Sequence, residues 1–508
     1  MPWTFTFVNF YMWEKPTSIV SRIRNVDHNT ATAQKAVIER ILDVEKLKYC
    51  FDCGICTASC SMVELLGKDY NPRGLLERIV FDPEKALSSE ELWLCAWCYR
   101  CYKRCPQALK IPEIFLLMRT ASVKQGHTQP LEKALVKIVE NIPLPLVTAM
   151  VCFHPERAGL SREETLAKTE QLREQYLKPK KRKKPTPGPD AKVAVIGSGP
   201  AGLTVAYELS RKGYAVTVFE SMPQLGGMMQ KGIPEYRLPR KVLAKELEFL
   251  KDLGVETKTG VTVGKDLSFE DIWKKGYKAI FVSTGAHKSQ KLKIEGTNLK
   301  GVINALDFLW KVNSGEKFEV GKKIVVIGGG NVAIDAARSA LTARTALKMG
   351  AEEVVILYRR SREEMPANPW EVKEAEEEGV KIEFGVTPLK IVGDGDVSAV
   401  ECIRTQLGEP DETGRRMATP IPGSEFKREA DMVILAIGET PDVGFLPKDV
   451  ELNDNGTIWV NPVTMETSMP GVFAGGDAVT GPASVIEAIR AGKTAAESIE
   501  GHLKGPER

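Results

Sequence analysis

Eight of the ten cysteines lie between Cys50 and Cys105. Cys50, Cys53, Cys56 and Cys60 form C-x-x-C-x-x-C-x-x-x-C, and Cys95, Cys98, Cys101 and Cys105 repeat it, with Pro106 closing the second run. Three thiolates at this spacing can wrap three irons of one cubane from a single tight turn. The fourth, after three intervening residues, points away to the neighbouring cluster. The runs therefore predict two [4Fe-4S] clusters with crossed ligands: Cys50, Cys53, Cys56 and Cys105 on one, and Cys95, Cys98, Cys101 and Cys60 on the other. Ser61 replaces the proline expected after the first run, which removes a chain-turning residue but no ligand. Four-cysteine zinc sites show two C-x-x-C pairs separated by a loop, a different pattern. With no secretion signal, this cysteine density reads as metal ligation in a reducing cytoplasm rather than as disulfides.

The glycines carry a second chemistry. Gly197, Gly199 and Gly202 form G-x-G-x-x-G after the apolar run AKVAVI and at the start of a helical stretch. Gly197 permits the tight turn, Gly199 lets the backbone approach a pyrophosphate, and Gly202 lets the helix pack on the strand. The helix N-terminus offers a positive dipole end, and Glu220, ending the next strand, can accept hydrogen bonds from a ribose. A second copy, KKIVVIGGGNVAIDAAR, places Gly328, Gly330 and Ala333 in the glycine positions. Where the first fold has Glu220, the second has Arg359, followed by Arg360. Guanidinium groups grip a 2′-phosphate that a carboxylate would repel, so NADP is expected there over NAD. The helix stretch AARSALTARTALKMGA runs about six residues longer than usual for such a unit. Far downstream, Gly476 and Asp477 lie between a strand and a helix, where a flavin ribityl and phosphate are held.

These motifs need elements to position them. At 508 residues with 43% apolar and 27% charged side chains, the chain must divide into two or three domains. The stretch between the cysteine runs reads as helical, with a capping-box start at SSEELWL. Residues 129–177 read as bridging helices. KPKKRKKPTPGPD (178–190) is too basic and proline-rich to bury a core and reads as a solvated linker. The expected fold is α plus α/β: an α-helical ferredoxin-type domain followed by two Rossmann-like domains, the second inserted in the first. The expected boundaries are an apolar tail (1–34), a two-cluster domain with bridging helices (35–177), the linker, a first FAD-binding segment (191–318), an NADP(H)-binding domain (319–440) and a second FAD-binding segment (441–508). A formal charge of +3 gives no global argument for nucleic acid. No segment offers the ~20 consecutive apolar residues of a membrane span. His127 and His154 lack ligand spacing.

Residues 35–126, with YCFDCGICTASC, NPRGLLERIV, LWLCAWCYRCYKRCP and IPEIFLLMRTASVKQG, resemble the iron-sulfur C subunit of heterodisulfide reductases. They are also similar to the cluster domain of succinate and fumarate dehydrogenases. Residues 191–508, with ESMPQLGGMMQKGIPEYRLPR, FVSTGA, GGGNVAID, LYRRSREEMPA and AGGDAVTG in order, resemble the small subunit of NADPH-dependent glutamate synthase and the large subunit of ferredoxin:NADP oxidoreductase. The resemblance implies FAD on the first fold, NADP(H) on the inserted fold and hydride exchange at the flavin. It also implies nucleotide contacts at Pro200, Ala201, Gly227, Arg237, Thr284, Gly285, Asn331, Val332 and Gly438.

No cysteine occurs from residue 153 to 401, which excludes a dithiol relay beside the flavin. An FAD wired to two cubanes converts two-electron into one-electron transfer. The expected function is thus an electron-transfer oxidoreductase subunit, working with other flavin and iron-sulfur subunits, in one form bifurcating electrons to ferredoxin. The alternatives are a glutamate synthase small subunit and a non-enzymatic iron-sulfur sensor or scaffold. Protein purified without oxygen will carry about eight irons and eight acid-labile sulfides per chain; stoichiometric zinc without sulfide would end the cluster reading.

Overall fold

The computed structural model describes residue 47 and residues 50–177, 191–346, 351–410 and 416–505. The tail 1–34, the linker 178–190 and the end of the elongated helix at 347–350 lie outside the described residues.

Among the described residues, 50–177 form helices and no strand. Local chemistry sets their starts. Asn71 caps Pro72–Phe81 by accepting from the Gly74 amide, and Asp82 caps Pro83–Leu87 by accepting from that of Lys85, each with proline in the first turn. Ser89 also accepts an amide, from Glu91, but the element it starts is a 3-10 turn, Glu90–Trp93, rather than the α-helix expected from SSEELWL. The chain cannot continue as a helix because Leu92, Trp93 and Leu94 are drawn into the core just before the second cysteine loop.

The first nucleotide fold contributes β1 (Lys192–Ile196), β2 (Ala215–Glu220), β3 (Glu256–Thr259) and β4 (Tyr277–Val282). The chain crosses to the second through β5 (Lys288–Ser289). It then builds β6 (Val302–Asn304), β7 (Lys323–Ile327), β8 (Glu353–Tyr358) and β9 (Lys381–Phe384). An antiparallel meander follows: β10 (Val386–Asp394), β11 (Asp396–Pro410), β12 (Arg416–Pro420) and β13 (Phe426–Glu429). The return runs through β14 (Met432–Leu435) and β15 (Glu439–Thr440) to β16 (Val472–Ala474). Two parallel five-stranded sheets result, ordered β16-β4-β1-β2-β3 and β6-β14-β7-β8-β9. Their inner strands are apolar and buried on both faces, as parallel sheets covered by helices must be.

The ribbon β5-β15 marks where the chain leaves and re-enters the first fold. Because β6 pairs with β14, the second sheet begins before residue 319, the start read from sequence. A three-residue strand has too little pattern to be seen in advance.

One hydrophobic core runs from the cluster domain into the first fold, joining Leu65, Trp97 and Phe153 to Val205, Leu243 and Ile486; the second fold has its own. Glu246 adds a buried polar clamp: it accepts the amides of Leu146 and Val147 and pairs with Arg173 at 3.0 Å. A larger ionic latch joins all three units. Arg157 from the helical domain meets Glu371 at 3.0 Å and Glu374 at 2.8 Å, on the second fold. Arg237 from the first fold pairs with Asp335 at 2.9 Å and Glu371 at 3.4 Å, and Arg338 reaches Glu371 at 3.1 Å.

Burial alone would raise the Glu371 carboxyl, but Arg237 and then Arg157 outweigh it and hold the group at about 2. A carboxylate depressed in the folded state contributes stability that is full above its unfolded value, near 4.5, and lost as pH falls toward 2. That contribution is on the order of 3 kcal/mol. Denaturation midpoints measured from pH 7 down to pH 2 will fall less steeply below pH 5 in Glu371→Gln than in the unaltered protein. Parallel curves would show that the latch adds nothing to acid stability.

Candidate active site

Both glycine loops, the two arginines after β8 and the second cysteine loop open onto one cavity of about 1510 Å³. A pocket for a single drug-sized ligand occupies roughly 300 to 1,000 Å³, so this one has room for more than one nucleotide. Of the nucleotide-binding residues read from sequence, Gly197, Gly199, Pro200, Ala201, Glu220, Gly227, Arg237, Thr284, Gly285, Gly328, Gly330, Asn331, Val332, Arg359, Arg360, Gly438, Gly476 and Asp477 all line it. Gly202 does not, for the packing reason expected: a Cβ there would stand 2.1 Å from the Gly197 carbonyl oxygen.

The glycines separate into two kinds. Gly197 has φ +97° and a Cβ would sit 2.5 Å from the Ser283 carbonyl, so the turn itself requires glycine. Gly199 has φ −66° and Gly330 an unstrained backbone, and a Cβ on either would meet no protein atom within 4 Å. Such a Cβ would project into the cavity at a helix N-terminus, where a pyrophosphate must approach. The buried Thr284 Oγ1 finds no hydrogen-bond partner among the described residues and lines the same space. Residues of this kind fit FAD on the first fold. Burial pushes the Asp477 carboxyl up to about 6, while the Ala483 amide that it accepts pulls it back.

Three of these cavity residues also make contacts within the protein that the sequence does not announce. Glu220, read as a ribose acceptor, spends its carboxylate on the loop, accepting from the Ser198 amide (2.9 Å) and hydroxyl (2.6 Å), the Met222 amide (2.8 Å) and the Ser221 hydroxyl (3.3 Å). Its four acceptor sites are thereby occupied, so a ribose hydroxyl must displace one of the serine hydroxyls. Arg237, implied as a nucleotide contact, is a strut of the latch. Arg360 gives one donor to the Arg416 carbonyl at 3.0 Å. Neither Arg359 nor Arg360 has a carboxylate partner among the described residues, and Asn331 orients the loop after β8 by accepting the Asn368 amide at 2.9 Å.

The cysteine loops share a backbone solution. Asp52 and Gly54 flank Cys53 with φ +53° and +74°; Trp97 and Tyr99 flank Cys98 with φ +53° and +60°. Left-handed tryptophan and tyrosine are costly, and such strain gathers where a site demands it. Cys50, Cys53, Cys56 and Cys105 line one recess. Cys60 lies in the field of Cys95 and Cys98, and Cys101 in that of Cys95, Cys98 and Cys60. The recess groups the residues of the first crossed quartet read from the spacing, while Cys56 adds to the field at Cys101. Burial, then the neighbouring Cys95, push the Cys60 thiol up to about 12, so these sulfurs ligate as thiolates only where a cationic metal core compensates them.

Sequence reading missed several cavity residues. Ser198 stitches Glu220 to the Gly226–Gly227 turn by accepting the Gly226 amide at 2.9 Å. Trp97 packs edge-on against His154 and Trp370, with the Arg157 guanidinium 4.6 Å from its ring. His154, held neutral by burial and then by the Arg157 charge, and Cys152 complete this wall. Only Ser198, inside the glycine motif, had a positional signal.

Residues 191–492, more than half of the chain, match the model of the pyridine nucleotide-disulphide oxidoreductases. The chain belongs to that family. Residues 46–109 match the 4Fe-4S dicluster domain. The two-part architecture and the cofactors read from the motifs, FAD and two [4Fe-4S] clusters, are thus borne out. Within the matched oxidoreductase segment the one cysteine is Cys402, buried on β11, so this member lacks the disulphide of the family's name there.

The chain is 39% identical over 438 residues to the beta subunit of the NADP(+)-dependent formate dehydrogenase of Moorella thermoacetica, covering 80% of this chain and 60% of that one. It is 38% identical over 441 residues to the NADPH-Fe(3+) oxidoreductase subunit beta of Geobacter sulfurreducens, covering 80% and 63%. It therefore spans about six tenths of the length of these two relatives. With the glutamate synthase [NADPH] small chain of Escherichia coli it shares 39% identity over 331 residues, covering 62% and 69%. FprA from Mycobacterium tuberculosis, solved in complex with NADPH, has the same fold, with a TM-score of 0.54 at 22% identity over 62% of this chain and 85% of that one.

Gly199→Val will separate fold from cofactor. A Cβ there meets no atom of the described residues within 4 Å, so far-ultraviolet circular dichroism will be unchanged while the purified protein loses its flavin absorbance. Full flavin retention would show that the pyrophosphate does not pass Gly199.

Proposed function

We propose that this chain is the NADP(H)-handling electron-transfer subunit of a larger oxidoreductase. It carries electrons between NADP(H), FAD and two [4Fe-4S] clusters, and through the clusters to other flavin and iron-sulfur subunits. One observation carries this reading: Gly199, Gly330, Arg359 and Cys98 line the same cavity. A nicotinamide site, a flavin site and a cluster ligand are then neighbours rather than separate stations. FAD supplies hydride exchange with a nicotinamide and release of electrons one at a time.

The chain's own residues do the rest. The Gly197–Gly202 and Gly328–Gly330 loops bind the two pyrophosphates, and Arg359 and Arg360 hold the 2′-phosphate. Trp97, His154 and Val151 wall off water between the flavin site and the cysteine loop. Cys98 belongs to the buried quartet, whereas Cys50 and Cys53 are exposed, so electrons enter by the buried quartet and leave by the exposed one. A partner docked there, of which ferredoxin is one class and bifurcation one use, receives them singly. The names of the relatives support an NADP-linked subunit. Alignments covering 80% of this chain need more than residues 191–508, which favours the cluster-bearing beta subunits over the glutamate synthase small chains as guides.

Nucleotide choice tests the reading. Each charge-assisted contact to the 2′-phosphate is worth roughly 1.5 to 3 kcal/mol, so the Arg359→Ala, Arg360→Ala double variant will bind NADPH at least ~100-fold more weakly. Anaerobic flavin reduction by NADPH and NADH in both proteins is the measurement, and NADH will hardly respond. Equal loss for the two nucleotides, or an unaltered protein that prefers NADH, would sink the assignment.

A further inference from the structure

Arg119 is fully buried, yet it has no acidic partner among the described residues. Its Nε donates to the Leu92 carbonyl at 2.9 Å, and its two terminal nitrogens donate to the carbonyls of Phe153 at 3.2 Å and Cys95 at 2.6 Å. The guanidinium is enclosed by the rings of Trp93 and Phe153, 5.5 and 5.6 Å from its centre. The other deeply buried guanidinium groups, Arg157, Arg173 and Arg338, each pair with a glutamate.

An isolated charge in an apolar interior carries a desolvation penalty of several kcal/mol unless an opposite charge stands nearby. Carbonyl dipoles ease that cost but bring no counter-charge. The ionisable groups whose fields reach Arg119 are Cys95 and Tyr70. Tyr70 is itself buried, and the Trp97 amide donates to Cys95 Sγ at 3.4 Å. Among the described residues the first quartet has no such buried cation: Arg73 beside it is partly exposed and already paired with Asp52 at 2.8 Å.

We propose that Arg119 is the buried counter-ion of the cluster held by Cys95, Cys98, Cys101 and Cys60, and that it sets the potential at which that cluster accepts an electron from the flavin side. This rests on the two-cluster reading above. A cubane bound by four thiolates is anionic, and the electron it gains makes it more negative by one unit. A fixed positive charge therefore favours the reduced form, and its removal makes reduction harder. The effect is specific to the buried cluster because the charge lies against Cys95, and salt screens it little because water does not reach it.

The test is an anaerobic redox titration of the full chain followed by electron paramagnetic resonance, on the unaltered protein, Arg119→Gln and Arg119→Lys. A soluble paramagnetic relaxant distinguishes the clusters, since it reaches the one beside exposed Cys50 and Cys53. At a fixed potential, the reduced-to-oxidised ratio of the buried cluster will fall about tenfold or more in Arg119→Gln, a shift of about 59 mV or more for one electron. It will stay within about threefold in Arg119→Lys, and the exposed cluster will not respond. An unchanged ratio in an Arg119→Gln protein that retains its iron and sulfide overturns the proposal, as do equal shifts of both clusters. If Arg119→Gln loses the buried cluster, Arg119→Lys decides: a retained potential supports a role for charge, and a tenfold fall overturns it. Absence of iron and sulfide from the unaltered protein would instead bring down the two-cluster reading.

Discussion

The helix Val485–Lys504 must satisfy three partners at once, and the placement of every cofactor depends on it. Its N-terminus, capped by Ser484 with Glu487 closing the box, borders the cavity beside Gly476 and Asp477. Its middle packs on Pro200–Arg211 so closely that a Cβ at Gly492 would stand 2.5 Å from the Ala201 carbonyl. Its outer face holds the cluster domain through Arg490 to Glu64 at 2.6 Å, Glu487 to Arg100 at 3.4 Å, and Lys493 to the carbonyls of Leu65 and Asn141. One rigid rod thus fixes the glycine loop, the Asp477 turn and the cysteine loops relative to one another. The shared apolar core makes that arrangement permanent, because separating the units would expose Trp97, Phe153 and Ile486 together.

Buried charge is used in two contrasting ways around this frame. In the latch, Arg157, Arg237 and Arg338 meet Glu371, Glu374 and Asp335, so each charge is compensated within the protein. Compared with an apolar replacement such pairs roughly offset their own desolvation, so what they add beyond the acid stability tied to Glu371 is geometry. They fix the second fold against the helical domain at Trp97, the residue between two cluster ligands. At Arg119 the described residues supply carbonyl dipoles and aromatic faces and no carboxylate. The first arrangement holds domains; the second leaves a charge free to act on what lies beside it.

The cysteine runs and glycine fingerprints are legible in the sequence because their chemistry is local: all the ligands of a loop, or all the contacts of a turn, lie within about a dozen residues. The crossed grouping is an expectation from spacing alone, and Gly202 reads as the packing residue that it is. What escapes is everything that pairs across the chain. Arg157 and Glu371 are 214 residues apart, and neither stands in a pattern that names the other. Trp97 and Arg119 stand in no sequence pattern that marks them, and only the tertiary fold puts them beside Cys98 and Cys95. Glu220 has the right place and a different immediate partner, since a strand-end carboxylate can as well bind its own glycine loop as a ribose. The second fold's early start is hidden in β6, whose three residues cannot display a period.

The missing disulphide explains why these long-range contacts are needed. A dithiol beside a flavin can be carried by the nucleotide folds themselves, on one or two cysteines. Two cubanes require eight cysteines, two left-handed loops and a helical scaffold to bury them, which together make a separate domain. An exit on a separate domain serves only if that domain cannot drift, because every added gap between redox centres slows electron passage. The continuous core, the Glu246 clamp and the Val485–Lys504 helix meet that demand from the first fold, and the Arg157 latch meets it from the second. Replacing a dithiol by clusters therefore changes the contacts between domains as much as the chemistry at the site.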